Sequence, residues 1–142
     1  MDGQARTAPP RGSDHIGGDS RGMNLFRADP GFRDLLTLYL TSEERAHFWP
    51  HLDRLGELAG GDLDRWADLA DKNPPVLHHR DRFGRDVQWI EHHPAYREME
   101  RIGFFEFGLH AAPHRPILGW PTGVSPLVKF ALHYLFSQAE FG

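Results

Sequence analysis

The segment "LADKNPPVLHHRDRFGRDVQWIEHHPAYREMERIGF", Leu69 to Phe104, contains the changes of pattern that decide the fold. A helical pattern ends at Asn73-Pro74-Pro75, because a residue that precedes proline is disfavoured in the helical conformation. Two short segments typical of strands then flank Arg82-Phe83-Gly84, where Gly84 suits the left-handed position of a three-residue hairpin loop. Pro94 begins the next helix. In this register, one face of the predicted hairpin carries Leu77, Val87 and Trp89.

Three amphipathic helices are predicted before this segment, because apolar residues recur there at helical spacing. Their expected N-terminal residues are Asp29 followed by Pro30, then Ser42, then Asp62. We expect Pro50 to kink the second helix or to divide it in two. The apolar stripes consist of Phe32, Leu35, Leu36, Tyr39 and Leu40 in the first helix, Phe48, Leu52, Leu55 and Leu58 in the second, and Leu63, Trp66, Leu69 and Ala70 in the third.

Apolar residues become denser towards the C-terminal end of the helix that begins at Pro94. There the segment "GFFEFG", Gly103 to Gly108, leaves little polar surface, so we expect that end to be buried. The connection that follows is too rich in proline and glycine for regular structure. We expect its apolar residues Ile117, Leu118 and Trp120 to lie on the core.

The last predicted helix, "LVKFALHYLFSQAEFG" from Leu127 to Gly142, is the most apolar long segment of the chain and follows a Ser125-Pro126 start. A helix that is apolar nearly all round is normally buried. Aromatic residues in and before this helix either form core, which is the commoner role, or wall a pocket for an acyl or aromatic ligand. They are Phe104, Phe105, Phe107, Tyr134, Phe136 and Phe141.

The 142 residues are enough for one domain, and the 25% of charged residues and the formal net charge of −4 are ordinary for a globular protein. This small charge does not favour nucleic-acid binding. The chain has no cysteine and no segment with the pattern of a signal peptide or a membrane span, so we expect a cytoplasmic protein that does not enter a membrane. Met1 to Gly22 has the composition of a disordered tail, which leaves 23–142 as the helical domain.

Ten histidines raise the question of a metal site, above all His78-His79 and His92-His93 in the segments beside the hairpin loop. Adjacent strand residues point to opposite faces, so each pair offers one ligand per face, and metal binding is not favoured. His110 and His114 lie near Glu106 and form an acid/base site only if the loop folds back; capping of a helix C-terminus is the simpler interpretation. The sequence has neither a nucleophile elbow nor a phosphate-binding glycine loop.

The order of features in the opening segment is similar to that of a known family. It has a helix, Asn-Pro-Pro, a short strand, Asp-x-x-Gly-Arg and then His-Pro-Ala-Tyr at the start of a helix, and "SQAEFG" ends the last helix. This order resembles the N-terminal helical domain of acyl-CoA dehydrogenase-like flavoproteins, in the branch named for the adaptive response to DNA alkylation. The resemblance covers Asn24 to Gly142. It implies a mainly α fold, an orthogonal, bundle-like arrangement of helices with one short β-hairpin.

In that family the N-terminal helices form one wall of the acyl-chain pocket, while a middle β-domain and a C-terminal four-helix domain hold FAD. The C-terminal domain supplies the carboxylate base, and subunits commonly form tetramers. The resemblance therefore implies no catalytic residue in this chain, and it places Tyr134, Gln138 and Glu140 nearest to flavin and substrate. Because the chain stops at Gly142, before the family's first flavin-contacting segment, we expect a truncated, split or vestigial product, or a fragment, with neither turnover nor tight FAD binding.

The resemblance also implies that the last helix packs between its own domain and domains outside this chain. The first functional hypothesis is accordingly the N-terminal part of an FAD-dependent acyl-CoA dehydrogenase-type oxidoreductase that acts on an acyl-CoA thioester. The alternative is a non-catalytic helical module that docks its apolar last helix on a partner or on a second copy of itself.

Overall fold

The computed structural model describes residues 21–140, and of Glu140 only the backbone. Within this range the chain is mainly helical with one two-stranded antiparallel hairpin, as predicted. The elements in chain order are α1 (Pro30–Tyr39), α2 (Ser42–Gly60), α3 (Asp62–Lys72), β1 (Val76–Arg80), β2 (Asp86–Glu91), α4 (Pro94–Glu100), a π-helical turn (Arg101–Glu106), a 3₁₀ turn (Leu109–Ala111) and α5 (Pro126–Glu140).

The tail predicted at Met1 to Gly22 lies outside the described residues, apart from Arg21 and Gly22. These two belong to a turn, and the Gly22 N–H donates to the Gly60 carbonyl at the end of α2 (2.5 Å). Among residues 21–140, no helix combines the length and the apolar character that a membrane span requires.

The core lies between α2 and α5, whose apolar sides pack together. Its largest members are almost completely inaccessible to water, because on each helix they recur at a spacing that puts them on one side. They include Phe48, Leu52 and Leu55 of α2 and Val128, Leu132 and Leu135 of α5. Burial of this apolar surface is the main favourable contribution to folding.

The irregular connection before α5 covers the end of this core, as predicted. Ile117 is buried, and Leu118 and Trp120 pack against the core from its edge. The Ser125 hydroxyl then caps α5 by accepting a hydrogen bond from the Val128 N–H (3.4 Å).

The starts of two helices differ by one residue from the prediction. Thr41 caps α2, because its hydroxyl accepts from the Glu44 N–H (3.1 Å), and Ser42 is the first helical residue. Asp62 is the first residue of α3, and Gly61 before it provides no side-chain cap. Neighbouring hydroxyl or carboxylate residues are equivalent cap candidates in a sequence, and only the backbone path selects one of them.

Pro50 does not divide α2, which runs without interruption from Ser42 to Gly60. The proline is exposed, while Phe48 and Leu52 on either side of it are buried in the core. Because Phe48 and Leu52 are packed in the core, the helix continues through a residue that cannot donate a backbone hydrogen bond.

The hairpin forms where predicted, but its register was wrong. Leu77 pairs with Ile90 and His78 with Trp89, so Leu77 and Trp89 lie on opposite faces. A bulge near Gln88, whose φ is +43°, inserts one extra residue into β2. Gly84 has φ of +82°, which agrees with the left-handed loop position that its lack of a side chain permits.

Two predicted apolar surfaces are only partly buried. In the segment 103–108, Phe107 is fully buried but Phe105 is 84% exposed, because the π-helical turn changes the angular phase of the side chains. On α1, Leu36 and Leu40 are buried, whereas Leu35 and Tyr39 from the same predicted stripe point to solvent. The prediction from the sequence therefore overestimated how much of the apolar surface of α1 and of the segment 103–108 is buried.

Candidate functional site

The helix α5 has one buried side and one uncovered apolar side. Phe130 is 65% exposed and Tyr134 is 45% exposed, and the exposed Gln138 lies one turn further along. The three residues are spaced by four and therefore share one face of the helix. This uncovered side agrees with the expectation that the last helix packs only partly against its own domain.

Tyr134 connects this exposed face to α1. Its phenol donates a 2.8 Å hydrogen bond to Asp29 Oδ2, and its ring centroid lies 4.4 Å from that of Phe32. Asp29 Oδ1 meanwhile accepts from the Phe32 N–H (2.9 Å) and so caps α1. The pKa of Tyr134 is raised above its ordinary value, first by the hydrogen bond to this carboxylate and then by burial, so the phenol stays a neutral donor at physiological pH.

Of the three residues that the resemblance placed near flavin, the structure brings two together. Gln138 Nε2 donates to the Tyr134 carbonyl (3.1 Å), so this side chain lies along its own helix. The backbone of Glu140 ends α5, and its side chain lies outside the described residues. The role of Tyr134, Gln138 and Glu140 in cofactor binding remains a prediction.

We use the name α1/α5 face for the exposed apolar residues of these two helices. On α1 their exposed fractions are 56% for Leu35, 72% for Leu38 and 65% for Tyr39. The face also includes Phe130 and Tyr134 of α5, and the two helices contact each other through Phe32 and Tyr134. Exposed apolar patches of this kind mark interaction surfaces or ligand-binding grooves.

A cleft of about 520 Å³ opens between α3, α4 and α5. Its apolar wall contains Phe104 from the π-helical turn and Phe136 from α5. The full lining consists of Ala67, Ala70, Asp71, Asn73, Pro75, His92, His93, Tyr96, Met99, Glu100, Phe104, Leu109, His133 and Phe136. Pockets that bind small molecules have this size and this mixture of apolar walls with a few polar groups.

The three histidines of the cleft differ in their hydrogen bonds. His93 caps α4, since its Nδ1 accepts from the Ala95 N–H (3.1 Å). His92 stacks on Tyr96 with ring centroids 4.4 Å apart. His133 Nε2 is buried and has no hydrogen-bond partner among residues 21–140. Sequence analysis missed His133, because no motif singles it out.

The other histidines considered for chemistry have structural contacts. His78 Nε2 lies 2.6 Å from Glu91 Oε2, and its ring stacks on Trp89. Residues 21–140 contain no group of three or more side chains placed to hold a metal ion. Glu106 forms ion pairs with Arg54 and Arg101, so it is not the partner of His110 or His114.

Sequence analysis also missed a pair of histidines on α2. His47 Nε2 is 2.7 Å from the Leu118 carbonyl oxygen, and the rings of His47 and His51 are 5.5 Å apart. The pKa of His51 is lowered, chiefly by burial and further by His47 and Arg54. This pair ties α2 to the connection before α5.

Comparison with known proteins identifies the family. The family described as the adaptive response protein AidB N-terminal domain matches residues 18–142. The chain belongs to this family. This AidB N-terminal domain is also similar to a solved structure titled "Bd2924 apo-form", with a TM-score of 0.75 and 29% identity. The match covers 84% of this chain and 23% of that chain, so the AidB N-terminal domain corresponds to less than a quarter of the longer protein. A comparison with curated proteins gives no match.

The family match confirms the resemblance read from the segment Leu69 to Phe104 and the fold class that it implied. The chain corresponds to the N-terminal helical domain of the AidB branch of the acyl-CoA dehydrogenase family.

Proposed function

We propose that this domain forms one wall of the acyl and flavin pocket of an FAD-dependent acyl-CoA dehydrogenase-like oxidoreductase. The observation that carries the proposal is the α1/α5 face, where Phe130 and Tyr134 remain exposed on the most apolar helix of the chain. Exposure of apolar side chains to water is unfavourable in free energy, and packing against further domains would remove these side chains from water.

The residues of the α1/α5 face suit one side of a bound flavin and an acyl chain. Phe130 and Tyr134 offer aromatic surface, and the Gln138 amide beside them can hydrogen-bond to a heteroatom at the edge of the ring system. When bound in the complete enzyme, FAD would accept the β-hydride of the thioester, while a carboxylate from another domain removes the α-proton. The part of this chain is to exclude water and to orient the substrate.

On this proposal the isolated chain neither binds FAD tightly nor turns over acyl-CoA. The face contributes only one wall, and the sequence contains no phosphate-binding glycine loop for the pyrophosphate of FAD. The absence of cysteine suits a reducing compartment such as the cytoplasm, where we place the complete enzyme.

A chimera tests the proposal directly. A complete AidB-family flavoprotein has its own N-terminal domain replaced by this chain, and flavin content is measured by absorbance before and after Phe130→Ser. We expect the chimera to retain FAD and the Phe130→Ser variant to lose at least half of it. The matched control is Phe105→Ser, an exposed aromatic on a different element, which should leave flavin content unchanged. Equal flavin content in both variants would contradict the proposal, as would stoichiometric yellow flavin in the purified isolated chain.

A second candidate function rests on the same exposed face: a non-catalytic module that docks α5 on a protein partner or on a second copy. Light scattering of the isolated chain distinguishes the docking module from the pocket wall. Concentration-dependent dimers that disappear with Phe130→Ser favour the module, whereas a monomer at all concentrations, together with a flavin-loaded chimera, favours the pocket wall.

A further inference from the structure

The hairpin formed by β1 and β2 is not packed into the helical core. Within residues 21–140 each strand contacts chiefly the other strand, and all residues of the two strands are exposed except the half-buried His78. An isolated two-stranded hairpin is at best marginally stable in water, and further strands stabilise it. Six large apolar residues of this hairpin are nevertheless 39% to 68% exposed: Val76, Leu77, Phe83, Val87, Trp89 and Ile90. Their exposure indicates an interaction surface.

The two outer edges of the hairpin differ. On β2, the bulge near Gln88 interrupts the regular spacing of backbone groups, and such bulges protect an edge against pairing with another chain. β1 is regular from Val76 to Arg80 and contains no proline. The outer edge of β1 is therefore the edge to which another strand can be added.

The ladder shows which backbone groups lie on this outer edge. The Asp81 N–H donates to the Arg85 carbonyl (2.9 Å), so the backbone groups of Asp81 point towards the returning strand. In an antiparallel ladder, such residues alternate with residues whose N–H and C=O point away from the partner strand. Arg80, His78 and Val76 therefore present their N–H and C=O groups on the outer edge.

This set of outward groups is symmetric about His78. If β1 of a second copy lies antiparallel with the two His78 residues opposite each other, Val76 of each copy lies opposite Arg80 of the other. All three outward residues of both copies then join the ladder, and Leu77 lies opposite His79 of the second copy. Other registers place Val76 or Arg80 opposite residues outside β1.

The charges are compatible with this pairing. Arg80 is paired with Asp86 of its own copy (3.3 Å) and lies opposite the apolar Val76 of the second copy, so two guanidinium groups do not face each other. At the centre, Nε2 of each His78 lies 2.6 Å from Glu91 Oε2 of its own copy. The strand is thus complementary to itself in backbone groups and in charge.

We propose that β1 pairs with β1 of a second copy about a two-fold axis at His78, which forms a four-stranded antiparallel sheet. The paired segment has five residues in each copy, so it buries much less than the roughly 800 Å² per partner of a standard stable interface. We therefore expect a weak dimer with a Kd of about 0.1–1 mM. The proposal does not depend on the pocket-wall function, because the α1/α5 face takes no part in it.

The test uses the full 142-residue chain. Sedimentation velocity from about 0.02 to about 1 mM covers the expected Kd and should show a monomer that converts to a dimer. In a mixed sample of labelled and unlabelled chains, an isotope-filtered NOE should connect Leu77 Hα with His79 Hα of the second copy, because non-hydrogen-bonded pairs bring these atoms together.

Charge substitutions at Val76 separate the dimer from the stability of the hairpin. Val76→Lys places a cation opposite Arg80 of the second copy but beside Glu91, its partner within the hairpin. The Kd should therefore rise about fivefold while the hairpin itself is not weakened. Val76→Glu should lower the Kd and weaken the hairpin. A residue with a merely structural role would change the dimer and the hairpin in the same direction.

A proline tests the backbone pairing. His78→Pro removes the central N–H from the outer edge and should raise the Kd at least about tenfold. The matched control is His78→Ala, which loses the same side chain but keeps the N–H, and it should still dimerise. Because Phe130 lies outside the hairpin, the dimer should persist in Phe130→Ser. The light-scattering comparison of the two candidate functions is therefore made in the His78→Pro background.

Three results would each overturn the proposal: a sedimentation coefficient that does not change with concentration, a dimer that is lost with Phe130→Ser, or equal Kd values for Val76→Lys and Val76→Glu. If His78→Pro lost the hairpin, as judged by its NMR spectrum, the two Val76 variants and the NOE between Leu77 and His79 would still decide.

Discussion

The phenol of Tyr134 on α5 donates a 2.8 Å hydrogen bond to the carboxylate of Asp29, the residue that caps α1. The two residues are 105 positions apart in the sequence, so this hydrogen bond connects the first helix to the last. The Tyr134 ring also contacts Phe32 in the first turn of α1. The hydrogen bond and the ring contact together hold α1 against α5.

Removal of this hydrogen bond should loosen α1. Tyr134→Phe keeps the ring contact with Phe32 but loses the donor, and we expect the free energy of unfolding to fall by about 1 kcal/mol. Urea denaturation monitored by circular dichroism measures the change. Because the pKa of Tyr134 is raised in the folded state, the stabilisation is fully present below pH 10 and is lost as pH rises through the folded-state value. An equal stability of wild type and Tyr134→Phe at pH 7 would refute this role.

His51 should make the stability of the fold depend on pH. Burial, His47 and Arg54 lower its pKa, so the unfolded chain binds a proton more readily than the folded chain. The contribution of His51 is therefore present above its unfolded pKa, near 6.5, and is lost as pH falls through the lower folded-state value.

The measurement is the urea midpoint at pH 7.5 and at pH 5. His51→Gln should reduce the loss of stability between the two, whereas the exposed His114→Gln should not. If the His51 variant lost as much stability on acidification as the wild type, the assigned cause would be wrong.

Gly103→Ala should destabilise the fold by about 1–3 kcal/mol, because the new Cβ atom would lie 2.8 Å from the buried ring of Phe136. The matched control is Gly31→Ala, also a helical glycine, whose Cβ atom would meet only Asp29 Oδ1 at 3.7 Å. We expect that control to be neutral or to stabilise by up to about 1 kcal/mol, through helix propensity. Thermal unfolding of both variants makes the comparison, and a Gly103→Ala protein as stable as Gly31→Ala would show that the close approach is relaxed in solution.

The parts of the fold that local chemistry controls were predictable from the sequence. The Asp29-Pro30 start of α1, the Pro94 start of α4 and the left-handed loop residue Gly84 each follow from what one or two residues permit the backbone to do. The apolar stripe of the second helix also identified the core residues Phe48, Leu52 and Leu55, because burial at helical spacing is a periodic signal.

Features that depend on a single inserted residue in a strand or helix were not predictable. The bulge near Gln88 moves Leu77 and Trp89 to opposite faces, and the π-helical turn turns Phe105 towards solvent. Periodicity assumes a constant number of residues per turn or per pleat, so an inserted residue reverses the predicted face.

The candidate sites were predictable only in part. Tyr134 and Gln138 were named from a family resemblance, and the structure places them on one exposed face. The cleft around His133 was missed, because its lining comes from three helices and the packing of those helices decides which side chains meet. An unpaired buried nitrogen has no signature in a sequence, since it is defined by what surrounds it.

The most direct test of the central claim, that the α1/α5 face is covered by further domains in the complete enzyme, uses the absence of cysteine from this chain. Phe130→Cys introduces a single thiol, and its rate of alkylation is compared between the isolated chain and the chimera built on a cysteine-free host. We predict fast labelling in the isolated chain and at least about tenfold slower labelling in the chimera, as expected for a thiol that is buried in an interface. Equal labelling rates in the two proteins would contradict the account.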